Sequence, residues 1–151
     1  MKLVLSGASG LVGKGLKRHL AQQGHNIHAL VRRPALKAQN EIYWNPDEDQ
    51  IDDNALEGMD GVIHLAGENL SGYWTAAKKA RILFSRKNGT ALLSRCLVNL
   101  KRPPKVFISA SAVGYYGDRG DAALDESAGP GKGFLADVCV EWEKAAQPAA
   151  A

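Results

Sequence analysis

Several protein classes are excluded by what this chain has little of. Its two cysteines, Cys96 and Cys139, stand far apart and match no metal-ligand spacing. That argues against a disulfide framework and against a zinc site, and it fits reduced thiols in a cytoplasm. No apolar run approaches the ~18 residues of a membrane span. The opening Met1-Lys2-Leu3-Val4-Leu5 reaches Ser6-Gly7 too soon for a signal peptide, so no membrane partner and a cytoplasmic location are expected. Charge of one sign is scarce as well. Nineteen Lys plus Arg against sixteen Asp plus Glu leave a net charge of +3, too little to imply a nucleic-acid partner. The basic set Lys78, Lys79, Arg81, Arg86 and Lys87 reads as a solvated helix face. The four histidines, His19, His25, His28 and His64, share no ligand spacing, and His64 reads as a hydrogen-bonded core residue. No metal is expected.

What is abundant is glycine, 16 of 151 residues, about 11% against a usual ~7%. With 45% hydrophobic residues, this is a globular composition rich in tight turns, and the length suits one domain over residues 1–151. Lys2 to Leu5 is a short apolar run ending at Ser6-Gly7. From Leu11 to Gln23, Leu11, Val12, Leu16 and Leu20 fall near one helix face, Gly24 closes that helix, and Asn26 to Val31 resumes an extended pattern. The first thirty-one residues thus read as a right-handed βαβ unit. Glu41 to Trp44 is expected to be a weaker, more exposed strand ended by Asn45-Pro46. Asp47 to Asp53 is expected to be loop and helix start. Asp60 to Gly67 reads as a buried central strand, about Trp74 to Leu100 as a long helix weakened at Asn88-Gly89, and Lys105 to Ser109 as another buried strand. Gly114 to Gly133 reads as a polar loop and about Phe134 to Gln147 as the last helix. The only low-complexity tract is Ala149-Ala150-Ala151. This alternation predicts a three-layer α/β Rossmann fold with a parallel, doubly wound sheet. Such sheets continue from the fifth helix into a sixth strand, so a truncated fold is expected.

Gly7-Ala8-Ser9-Gly10-Leu11-Val12-Gly13 has the G-x-x-G-x-x-G spacing between a strand and a helix. Gly7 permits the sharp turn, Gly10 lets a pyrophosphate approach amides at the positive helix N-terminus, and Gly13 lets helix and strand pack closely. Dinucleotide binding by Gly7, Ser9, Gly10, Leu11, Val12 and Gly13 follows, with Leu65, Ala66 and Gly67 after the central strand. An NAD site would place Asp or Glu at the end of the second strand. Val31 stands there, followed by Arg32 and Arg33, whose guanidinium groups suit a 2′-phosphate. NADP is therefore the expected cofactor.

Gly7-x-x-Gly10-x-x-Gly13, His64-Leu65-Ala66-Gly67, Asn88-Gly89-Thr90 and Ile108-Ser109-Ala110-Ser111 leading to Tyr116-Gly117-Asp118 resemble the extended short-chain dehydrogenase/reductase superfamily. Leu65-Ala66-Gly67-Glu68-Asn69, Ser109 to Gly117 and Phe134-Leu135-Ala136-Asp137-Val138-Cys139 narrow the resemblance to its epimerase-family group, filed as predicted nucleoside-diphosphate-sugar epimerases and sometimes as cell-division inhibitors. The resemblance implies a chain of roughly twice this length, of which this would be the cofactor-binding half. It also implies a dimer through the long helix.

In that superfamily a Tyr-x-x-x-Lys pair moves the proton. Here Phe134 and Val138 stand at those two positions, and neither side chain carries a proton or a charge. Ser111 matches the superfamily serine that hydrogen-bonds a substrate oxygen, and Tyr115 or Tyr116 offers a substitute phenol. Asp118, Asp125 and Glu126 occupy the same loop region, where Arg119-Gly120-Asp121 reads as a turn. Two functions follow as expectations: an oxidoreductase or sugar-nucleotide epimerase on an unknown small-molecule substrate, or a non-catalytic NADP-binding module that senses redox state or regulates a partner.

Overall fold

The computed structural model describes residues 1–150, and Ala151 of the terminal alanine tract lies outside them. Six strands run in chain order as β1 (Lys2–Ser6), β2 (Asn26–Val31), β3 (Glu41–Asn45), β4 (Gln50–Ile51), β5 (Gly61–His64) and β6 (Val106–Ser109). Three α-helices accompany them: α1 (Leu11–Gln22), α2 (Ala76–Asn99) and α3 (Phe134–Ala146). The strands form one sheet in the order β4-β3-β2-β1-β5-β6. All neighbours pair in parallel except β4, which lies antiparallel to β3 through Trp44 opposite Ile51. β1 is central, so both its faces are covered, which is why its sequence is an unbroken apolar run and not an alternating one.

Alternate residues of the inner strands feed two cores. Leu3, Leu5 and Ile27 face α1 and meet Leu16 and Leu20. Val4, Leu30, Ile42, Trp44 and Val62 face the other way and meet Leu92, Leu93, Cys96 and Leu97 of α2. α3 packs against α2. Thr75 caps α2, its hydroxyl accepting from the Lys78 amide. Gly89 lies inside that helix without breaking it. A Cβ there would stand 3.4 Å from the Trp44 ring, so the missing side chain lets the helix approach the sheet.

The structure corrects several expectations. The sheet is mostly parallel, because Gln50-Ile51 turns back on β3 as an edge strand where loop and helix start were expected. β3 is not an exposed strand: Ile42 and Trp44 are 3% and 4% exposed, since α2 covers that face. β6 is the opposite case. Val106 and Ile108 are 47% and 52% exposed, because they sit in register with Gly61 and Ile63 on the α1 face, and α1 packs chiefly on β1 and β2. A chain closing on a fifth helix is also corrected. Short 3₁₀ turns, Lys37–Gln39 and Asp53–Leu56, stand between β2 and β3 and between β4 and β5, leaving three α-helices among the described residues. Leu11 and Val12 do not join the buried face of α1, being 93% and 67% exposed at its first turn.

The basic helix face is not simply solvated. Lys78 pairs with Glu68 at 2.7 Å with its side chain mostly buried, and Lys87 pairs with Glu141 of α3. Lys79 lies 5.4 Å from the Phe134 ring centroid. Arg86 lies 5.1 Å from the Trp142 ring centroid and donates to the Glu68 and Ile82 carbonyls. Loss of solvent pushes its guanidinium below the ordinary arginine value.

Candidate active site: a dinucleotide groove

The turn after β1 is shaped by its glycines. Gly7 takes φ +68°, a left-handed value that penalises side chains, and a Cβ there would fall 2.8 Å from the Leu65 carbonyl carbon. Gly10 is the N-cap of α1, extended at φ −73°, and a Cβ on it would meet only the Gly7 carbonyl at 3.3 Å. Gly13 is different. A Cβ there would overlap the Gly7 carbonyl oxygen and come within 2.9 Å of the Ala8 Cα. No side chain caps α1, and its first turn carries no carboxylate. First-turn amides have no intrahelical acceptor, so this helix end is open to an anion.

Around the turn lies a groove of about 530 Å³ that brings together Gly7, Ser9 and Gly10, Arg32 and Arg33, and Leu65, Ala66 and Gly67. Leu11, Val12 and Gly13 are not among its lining residues. The first two project outward, and Gly13 is spent on the contact between helix and turn. Sequence reasoning missed Lys17, Glu41, Trp44, Pro46, Asp47, Glu68 and Ser85 on the groove wall. Lys17 had a usable signal, since it follows Gly10 by seven residues and Gly13 by four and so shares their helix face.

The two arginines have separate surroundings. Arg33 donates both guanidinium nitrogens to the Glu41 carboxylate, at 2.8 and 2.6 Å. The Leu36 amide donates to the same carboxylate at 3.0 Å. The Arg33 hydrogen bond, then that amide, hold the Glu41 carboxyl below its usual range. Glu41 thus brings a carboxylate beside the end of β2, where the sequence itself offers Val31, but its oxygens are taken; Asp47 and Glu68 also line the groove. Arg32 makes no ion pair among the described residues.

Ser111, Tyr115 and Tyr116 do not line this groove. Ser111 Oγ donates to Glu143 Oε1 of α3 at 2.5 Å. The two tyrosines sit in a 3₁₀ turn, ring centroids 5.3 Å apart and edge to face. Phe134 stacks edge-on with Trp74 at 5.7 Å, and Val138 is buried. The loop beyond is tied down: Arg119 donates to the carbonyls of Tyr116, Gly129 and Pro130, and Asp125 accepts from Ser127. Asp118 likewise closes a local turn onto the Gly120 amide. A second cavity, of about 670 Å³, lies between β4 and α2. Burial pushes the thiol of Cys96, on its wall, up to about 11, which disfavours the thiolate. No group of three metal-ligating side chains occurs among the described residues, and none of their helices is long and apolar enough to cross a membrane.

A glycine turn at an uncapped helix end, at the carboxyl ends of central parallel strands, defines an NAD(P)-binding Rossmann chain. Known proteins make the class specific. The sequence pattern of the NAD dependent epimerase/dehydratase family matches residues 3–133, and the chain belongs to that family. It is 37% identical over 148 residues to an epimerase family protein of Mycobacterium bovis, covering 97% of this chain and 48% of that protein. The crystal structure of a nucleoside-diphosphate sugar epimerase from Corynebacterium glutamicum superposes with a TM-score of 0.83 at 35% identity, over 99% of this chain and 31% of that one. A human epimerase family protein solved with NADPH gives a TM-score of 0.83 at 28% identity, over 97% of this chain and 48% of that one. The chain spans about half the length of the curated relatives it matches.

Proposed function

We propose that the groove holds NADP in preference to NAD, and that the chain is the cofactor-binding half of an oxidoreductase or sugar-nucleotide epimerase whose substrate is unidentified. The observation that carries the cofactor choice is the division of labour between the arginines. Arg33 neutralises Glu41, so the carboxylate that β3 brings beside the end of β2 is not free to accept the ribose hydroxyls of NAD. Arg32 makes no ion pair among the described residues and lines the groove, as does Lys17. A 2′-phosphate suits this pair of cations. The human relative solved with NADPH supports the reading, although MoeE5, with 24% identity, was solved with NAD. The cytoplasm and a homodimer through the exposed face of α2, which carries Phe84 and Val98, belong to the same proposal.

A charge-assisted hydrogen bond contributes about 1.5–3 kcal/mol, so Arg32→Ala is expected to weaken NADPH roughly 10- to 100-fold while NADH is nearly unchanged. Arg33→Ala should act through Glu41: with its carboxylate released, NADH gains and selectivity narrows. Calorimetric titration of both cofactors against both variants checks this. Equal losses of NADPH and NADH in Arg32→Ala would reject the assignment.

When bound, the dinucleotide supplies hydride exchange, and this chain must handle the proton without the Tyr-x-x-x-Lys pair. Because the Ser111 hydrogen points to Glu143, the hydroxyl oxygen offers lone pairs, which suits a substrate hydroxyl. General acid-base help is worth ~10²–10⁴-fold. Ser111→Ala should lower turnover on that scale with NADPH affinity intact, and Tyr115→Phe and Tyr116→Phe ask whether a phenol shares the task. The assay is a screen of sugar nucleotides and small carbonyl compounds, following reduced-cofactor absorbance together with product analysis. Unimpaired turnover in all three variants would remove these residues from the chemistry.

A further inference from the structure

Ser6 and His64 end the two central strands, and both are fully buried. Ser6 Oγ lies 2.6 Å from His64 Nδ1 and also accepts from the Leu65 and Ala66 amides at 3.0 and 3.1 Å. A hydroxyl has two lone pairs and one hydrogen. Both lone pairs are used by the amides, so the hydrogen goes to His64, whose Nδ1 must be the bare acceptor. The proton of the neutral ring is therefore on Nε2, which has no hydrogen-bond partner. The same ring stands edge to face with Trp44, 5.8 Å between centroids and 88° between planes. Leu65, Ala66 and Trp44 all line the groove.

We propose that His64 is a positioning residue for the dinucleotide. Through the Ser6 hydroxyl it holds the Leu65-Ala66 backbone, and through the edge-to-face ring contact it holds Trp44, so that one side chain sets two walls of the groove. The wall after β5 leaves no slack, since it lies against Gly7 closely enough that a Cβ there would stand 2.8 Å away. Gly89 makes room for the arrangement: a Cβ on it would lie 3.4 Å from Trp44 and 3.7 Å from His64 Cε1. This inference rests on the NAD(P) reading of the groove but does not depend on the choice between the two cofactors.

Three variants of the full chain test it: Ser6→Ala, His64→Leu, and His64→Asn, whose carbonyl oxygen can replace Nδ1 as acceptor. Nitrogen NMR of the parent should show His64 neutral with its proton on Nε2. Amide exchange at Leu65 and Ala66 should quicken in Ser6→Ala and His64→Leu, and return toward the parental rate in His64→Asn. Affinity should fall about tenfold for NADPH and NADH alike in the first two, the effect of about one lost hydrogen bond, with rescue in His64→Asn. A proton on Nδ1, or parental exchange and affinity in folded Ser6→Ala, overturns the proposal. If the parent binds neither dinucleotide, the cofactor reading fails, and the exchange rates still decide whether His64 holds the wall. Should His64→Leu not fold, Ser6→Ala and His64→Asn carry the test.

Discussion

Gly13→Ala is expected to cost more stability than any other single methyl group added to the phosphate turn. The new Cβ would overlap the Gly7 carbonyl oxygen, and backbone atoms on both sides of the contact leave nothing flexible to yield. Overpacking of this kind costs ~3 kcal/mol or more, equivalent to a fall in Tm of roughly 6–12 °C for a chain of this size. Gly10→Ala provides the contrast. Its Cβ meets a single atom at 3.3 Å, so the fold should survive while the methyl group occupies the approach of the pyrophosphate and weakens NADPH and NADH together. Thermal denaturation and titration of the two proteins separate the roles: stability lost at Gly13, binding lost at Gly10. A Gly13→Ala protein with parental Tm would mean that the turn is looser than these contacts imply. Undiminished affinity in folded Gly10→Ala would move the phosphates elsewhere.

Acid should destabilise the protein well above the range in which carboxylates protonate. Burial pushes the His64 pKa down from 6.5 to about 4, and Ser6 leaves no acceptor facing a protonated Nδ1. A base whose folded pKa lies below its unfolded value takes up protons preferentially on unfolding between the two values. The contribution of neutral His64 is therefore complete above pH 6.5, is lost as pH drops toward 4, and changes no further below. At about 1.4 kcal/mol per pH unit the full loss is about 3.5 kcal/mol. His28, lowered by burial and by Lys2, adds in the same direction. Glu41, Glu68, Asp125 and Glu141 are lowered chiefly by their hydrogen-bond partners, so their contributions are lost only as pH falls below the ordinary carboxylate range. Urea unfolding from pH 7.5 to 4 measures the slope. In His64→Asn most of the slope between 6.5 and 4.5 should vanish, and an unchanged slope would assign it to other groups.

Much of the groove was legible in the chain because its determinants are local. A glycine turn, the strand before it and the helix after it occupy consecutive residues, so spacing alone yields Gly7, Gly10 and the role of Gly13. Arg32 and Arg33 likewise follow directly from the end of β2. Their difference was not legible, since it arises from Glu41, brought alongside by the parallel pairing of β2 with β3. The exposure of β3 and β6 was misjudged for a related reason. Both are short apolar runs, and whether such a run is covered depends on which helix crosses it, a fact absent from the run itself.

By itself the sequence determined the alternation of strand and helix, the phosphate turn, the absence of the Tyr-x-x-x-Lys side chains and the resemblance to an epimerase family that the comparisons bear out. These depend on residue identity and on contacts over a few positions. Only the tertiary structure decided that Glu41 is already neutralised, that Ser111 points its hydrogen at Glu143, that Leu11 and Val12 face outward and that His64 joins Ser6 to Trp44. The three contacts join separate elements through sheet register or helix packing, and the exposure of Leu11 and Val12 follows from how α1 lies on the sheet. Short-range patterning cannot encode which donor meets which acceptor, because that pairing exists only once the strands are in register and the helices lie across them.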